Sequence, residues 1–202
     1  MGLGEWIGGA LAFLGPPGLL AAMFLIFLLD AAIFPALPEF FIVAFYFELV
    51  GRWAWAPTVA AAVLLVLALA GDLAGNAGLY AIVRALRNRG KVPRFIEKAM
   101  KKWTSLLAVG DERVILVNRI APAVPLTGAF IAVCGWSLRK SLAYVLIGGV
   151  AKYVFLLIVV VGLGVAFDQG TARLVSFVAV IVLIVASFVA GWIRRQRMVS
   201  GA

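Results

Sequence analysis

The chain has 202 residues but no histidine, one cysteine and nine acidic residues. Without histidine, neither an imidazole metal site nor a histidine-based nucleophilic triad can be built. Cys134 stands alone, so no internal disulfide or thiolate cluster is available. The sequence contains no GxxxxGK[ST] loop and no GxGxxG, the two phosphate-cradling signatures of nucleotide binding. With no recognised acid–base pair either, the expectation is a protein that is not an enzyme and needs no metal or cofactor. Charge is scarce overall: 13% of residues are charged and 65% are hydrophobic, against about 25% and 45–50% in a soluble domain. Too little polar surface exists to coat a water-soluble globule. The apolar runs are long and continuous rather than short and alternating, which selects membrane helices over a barrel. The net charge of +9 suits lipid headgroups and the positive-inside rule, not nucleic acid. Glu5, with no basic residue before the first apolar run, speaks against a secretory signal peptide.

The runs organise one all-α membrane domain over residues 1–202. Residues 17–50 form two apolar helical pieces around Pro35-Ala-Leu-Pro38, with no polar loop between them. Paired prolines stop a helix, so the expectation is a re-entrant hairpin whose tip lies inside the membrane. Residues 57–90 form a full span, its apolar run interrupted at Gly71–Asn76, which puts Asp72 at mid-membrane. Residues 93–108 place Phe95, Ile96, Ala99, Met100, Trp103, Leu106 and Leu107 on one face and Arg94, Lys98, Lys101 and Lys102 on the other. That is an amphipathic helix for the membrane surface. Residues 111–136 repeat the hairpin pattern around Pro122-Ala-Val-Pro125. Residues 141–167 and 174–193 complete three full transmembrane helices.

Charge sets the orientation. Residues 84–102, Arg139-Lys140 and Arg194–Arg197 gather on one side only if 111–136 re-enters rather than crosses. Glu5, Glu48, Arg52, Asp168 and Arg173 then fall on the other side. By the positive-inside rule the basic side is cytoplasmic, giving a multi-pass plasma-membrane protein with a cytoplasmic C-terminus. The two hairpins enter from opposite faces, in the manner of the broken helices of secondary transporters.

Five ionisable residues are left within the bilayer: Asp30, Glu39, Asp72, Arg119 and Lys152. Each costs a few kcal/mol there and needs a reason. In a structural reading Asp30 or Glu39 neutralises Arg119, Asp72 neutralises Lys152, and the pairs fix hairpin register. In a functional reading Arg119, beside the broken backbone, binds a phosphate through its planar fork. Asp30, Glu39 and Asp72 then carry the coupling proton or Na+, and Lys152 is a charge partner. Asn118 and Thr127 join Pro35, Pro38, Pro122 and Pro125 in lining the substrate site, and Asn76 is a further polar group near the breaks.

Three blocks resemble the DedA family, also called the VTT-domain or SNARE-associated Golgi family. They are Asp30-AAIF-Pro35-AL-Pro38-Glu39, GDLAGNAGLYAIVRALRNRG (71–90) and VNRIAPAVPLTGAFIAVCG (117–135). Asp30 stands where the family usually has Glu, and only Arg119 of its arginine pair is present. PAVPLTGA also resembles the small multidrug export family. Both resemblances imply facing re-entrant hairpins. The first implies an ion-driven flippase of polyprenyl-phosphate-type carriers, or a lipid scramblase. The expected partners are therefore membrane lipids, an anionic lipid phosphate, and protons or Na+, with homo-oligomerisation left open. Export of small cationic molecules on Asp30, Glu39 and Asp72, and a non-transporting membrane-organising role, stand beside it.

Overall fold

The computed structural model of the chain describes residues 15–32, 38–90, 112–116 and 126–200. Among the described residues the regular structure is helical throughout. It comprises α1 (Gly15–Ala32), α2 (Glu39–Gly51), α3 (Pro57–Asn88), α4 (Thr127–Cys134), α5 (Leu138–Ala166) and α6 (Gln169–Ser200). The amphipathic segment 93–108 lies outside the described residues.

Among the described residues four helices are long and apolar enough to cross a membrane: Gly15–Ala32, Pro57–Asn88, Leu138–Ala166 and, within α6, Gln169–Ala186. The expected spans 57–90, 141–167 and 174–193 correspond to α3, α5 and part of α6. The fourth candidate is α1, read from sequence only as one arm of a hairpin. Its 18 residues extend about 27 Å, close to the thickness of the hydrocarbon core. By contrast α2 has 13 residues and α4 has 8, about 20 Å and 12 Å, too short to cross. The polar Gly71–Asn76 stretch interrupts the apolar run but not the helix, because α3 is continuous through it.

Close packing explains those glycines. A Cβ on Gly71 would lie 2.5 Å from the Phe24 carbonyl oxygen, and one on Gly75 would collide with that of Leu28. The spacing of four residues puts both on one face, so the backbones of α1 and α3 touch, as in small-xxx-small membrane interfaces. The matched order of contacts, 71 with 24 and 75 with 28, makes α1 and α3 parallel. Among the described residues nothing lies within 4 Å of a Cβ at Gly78, which takes no part in that seam.

The inner helix is α2. Ile42 through Leu49 are all buried, as expected for a helix apolar all round. Its C-terminal end meets the end of α5, where Gly164 faces Tyr46 and Phe47, and the start of α6, where Gln169 abuts Gly51. Glu48 joins that junction, with Arg52 Nη1 3.4 Å from Oε1 and Arg173 Nη2 3.6 Å from Oε2. From there α6 runs back along α2, and Phe177 stacks on Phe40 at a centroid distance of 6.0 Å. The opposite end gathers the last turns of α3 and α4 and the start of α5. Arg87 Nη1 donates to the carbonyls of Ala132 and Val133, at 3.0 and 3.2 Å. The Ser137 N–H donates to Glu112 Oε1 at 3.2 Å. Residues 112 and 137 are thus neighbours.

Candidate functional site

The α2 helix starts abruptly after Pro38, whose carbonyl accepts the N–H groups of Phe41 and Ile42 at 3.1 and 3.2 Å. Glu39 is its first residue, and a carboxylate is favoured there by the helix dipole. That carboxylate is buried, with its side chain 11% accessible, and it forms an ion pair with Lys152 Nζ. Lys152 lies midway along α5, so the start of α2 sits at half the depth of a spanning helix. The Lys152 side chain is 39% accessible. On α5 it occupies the border between buried Gly149 and Leu156 and the exposed Ala151 and Phe155.

A second polar pair lies in the middle of α3. Asp72 and Asn76 are both buried, at 2% and 1%. One turn apart, they share a face, and Asn76 Nδ2 donates at 2.9 Å to both the main-chain carbonyl and Oδ1 of Asp72. Asn76 Oδ1 has no hydrogen-bond partner among the described residues. A Cβ on Gly149 would lie 3.7 Å from Asp72 Oδ2, so Asp72 faces α5 one turn from Lys152. The cation expected opposite Asp72 thus holds Glu39, because α2 inserts its first residue at that level of α5.

The short α4 approaches the same zone from the other end. Leu126, with φ 58 and ψ 48, turns the chain into α4, and its carbonyl accepts the Ala129 and Phe130 N–H groups at 2.9 and 3.2 Å. Thr127, half-buried, opens α4. Gly128 lies so close to the Asn76 carbonyl oxygen that a Cβ could not fit. The start of α4 is therefore fixed on the Asp72–Asn76 turn.

Of the expected site residues, Glu39, Lys152 and Pro38 come together, with Asp72 and Thr127 nearby. Asp30 is half-buried in the last turn of α1. Pro35, Asn118, Arg119, Pro122 and Pro125 lie outside the described residues. Sequence reasoning missed Arg87 as the ligand of the last α4 carbonyls and Glu48 as the link between α2 and α6. The Glu48–Arg52 spacing of four was a readable signal, whereas nothing local announces the contacts of Arg87.

Long apolar helices around short ones, with charges buried between them, define the class: a helical, multi-pass membrane protein. Comparison of the chain with protein-family models, curated proteins and solved structures finds no match.

Proposed function

We propose that this protein is a membrane transporter that moves a phosphate-bearing lipid, of polyprenyl-phosphate or phospholipid type, across the cell membrane, driven by protons or another cation. One observation carries the reading: an ion pair between the buried Glu39 carboxylate and the partly open Lys152 joins the start of α2 to the midpoint of a spanning helix. A charged pair at mid-depth costs several kcal/mol to desolvate, and a polar headgroup needs a polar site there. The lipid tails need no carrier, so one small polar centre suffices. The basic end of the molecule faces the cytoplasm, together with the C-terminus. Residues 17–50 and 111–136 act as re-entrant hairpins, entering from opposite faces. The neighbouring positions of residues 112 and 137 and the mid-depth start of α2 support that arrangement. Arg119 binds the phosphate, and Asp30, Glu39 and Asp72 exchange the coupling ion. The likeness of residues 30–39, 71–90 and 117–135 to the DedA family favours the same substrate class.

The test is reconstitution in liposomes with a fluorescent lipid phosphate. Protein-dependent flipping that requires an imposed proton or Na+ gradient is the expected result. Equal flipping in both directions without a gradient makes the protein a scramblase. Efflux of a cationic dye without lipid movement identifies a drug exporter, and no movement of either sinks the transport reading.

A further inference from the structure

Lys152 was read from sequence only as a neutralising partner, and its place in the fold gives it a further role. Its ammonium holds a carboxylate that is nearly inaccessible, yet the lysine itself is more than one-third open. The opening is lateral: along α5, Lys152 is followed on its exposed side by Phe155 and Ile158, at 56% and 66% exposure. An apolar, outward-facing strip therefore leads along the spanning helix to a cation at half depth. A lipid lying on that strip with its tail in the bilayer would present its headgroup to Lys152. We infer that Lys152 is a binding residue for an anionic lipid headgroup and that Glu39 is its internal competitor. In the unliganded molecule Glu39 satisfies the ammonium, and an incoming phosphate displaces it.

The chemistry favours lysine at this position. An ammonium is a compact charge with three rotatable donors, so it can exchange one oxygen ligand for another by small stem movements. Glu39 is at the first turn of α2, where the helix dipole offsets part of the cost of its charge after displacement.

This inference rests on the lipid-phosphate reading, and it is tested by binding rather than transport. Purified protein in a non-ionic detergent is titrated with decyl phosphate, with decyl trimethylammonium as the control. Removing an internal competitor restores the binding-competent fraction, so Glu39→Gln is expected to bind decyl phosphate about tenfold more tightly than the natural chain. Lys152→Gln is expected to weaken that binding about tenfold, with Arg119 remaining as the other phosphate ligand, and Lys152→Arg to keep it. Melting temperatures measured on each variant separate lost binding from lost folding. Unchanged or weaker binding in well-folded Glu39→Gln overturns the competitor role. Undiminished binding in folded Lys152→Gln overturns the lysine site while leaving lipid-phosphate transport standing. Failure of the natural chain and of Glu39→Gln to bind decyl phosphate at all overturns this inference, and a positive flipping assay in that case preserves the transport reading.

Discussion

At the level of single residues, the size of a side chain decides whether α1 and α3 can touch. Gly71 and Gly75 hold the two backbones in contact, and any Cβ there meets a carbonyl oxygen of α1. Gly75→Ala is expected to cost about 1–3 kcal/mol, the usual penalty for overpacking. Gly78→Ala, with nothing nearby, should be neutral or slightly stabilising in a helix interior. Thermal unfolding in detergent checks both, and a loss at Gly78 equal to that at Gly75 would remove the seam argument. The ion pair obeys a different arithmetic. Lys152→Met leaves Glu39 buried without its cation, and a lone charge at the centre of a membrane helix costs about 2.5–3.5 kcal/mol on insertion scales. The double variant Glu39→Gln/Lys152→Met removes both charges and is expected to recover much of that stability. A double variant less stable than Lys152→Met alone would mean that the two charges do not act as a pair.

At the level of elements, the helix ends differ in how they are closed. The α6 helix begins at Asp168, whose Oδ2 accepts the Thr171 N–H at 3.0 Å, an N-cap of the usual geometry. The bond from the Thr171 backbone holds the Asp168 carboxyl below the usual carboxylate range. Because its value is lower in the folded state, the cap contributes fully above the unfolded value, about 3.9, and its contribution fades as pH falls through the folded one. Asp168→Ala is therefore expected to melt at a lower temperature than the natural chain at neutral pH. The gap should close only in acid below that range. A pH series of melting curves decides it, and a gap that closes already near pH 6 would point to another group. The short α4 is closed at its far end by Arg87 across the helix boundary. A cation at a helix C-terminus complements its dipole and occupies its orphan carbonyls. Arg87→Ala should raise backbone amide exchange in residues 127–134 while leaving α1 and α3 protected.

Across the whole molecule, charge sorts by end. Arg84, Arg87, Arg89, Arg113, Arg139 and Lys140 gather with Glu112 at one end, and Glu48, Arg52, Asp168 and Arg173 at the other. The second group is electrically balanced, so two arginines there do not oppose the orientation set by the first. In a Cys134→Ser background, Arg52→Cys is expected to react with an impermeant maleimide in intact cells, and Arg139→Cys only after the cells are permeabilised. Thr127→Cys should react poorly from either side. Labelling of 52 and 139 from the same side would overturn the arrangement of the spanning helices.

Much of this is legible in the sequence itself. Mean hydropathy of +1.12 and the length of the apolar runs determine a helical membrane protein, because burial in lipid depends on composition and on 20-residue stretches alone. Prolines around 35–38 mark where helices break, since a missing N–H acts locally. The intramembrane charges could likewise be listed from the sequence, because any charge in an apolar run stands out. Their partners could not. Lys152 meets Glu39 because α2 enters beside α5 at that depth, and Arg87 reaches carbonyls 45 and 46 residues away. The choice of which buried charge faces which depends on the relative shift and rotation of packed helices. That is a property of close-packed surfaces such as the glycine seam of α1 and α3, and only the tertiary structure decides it.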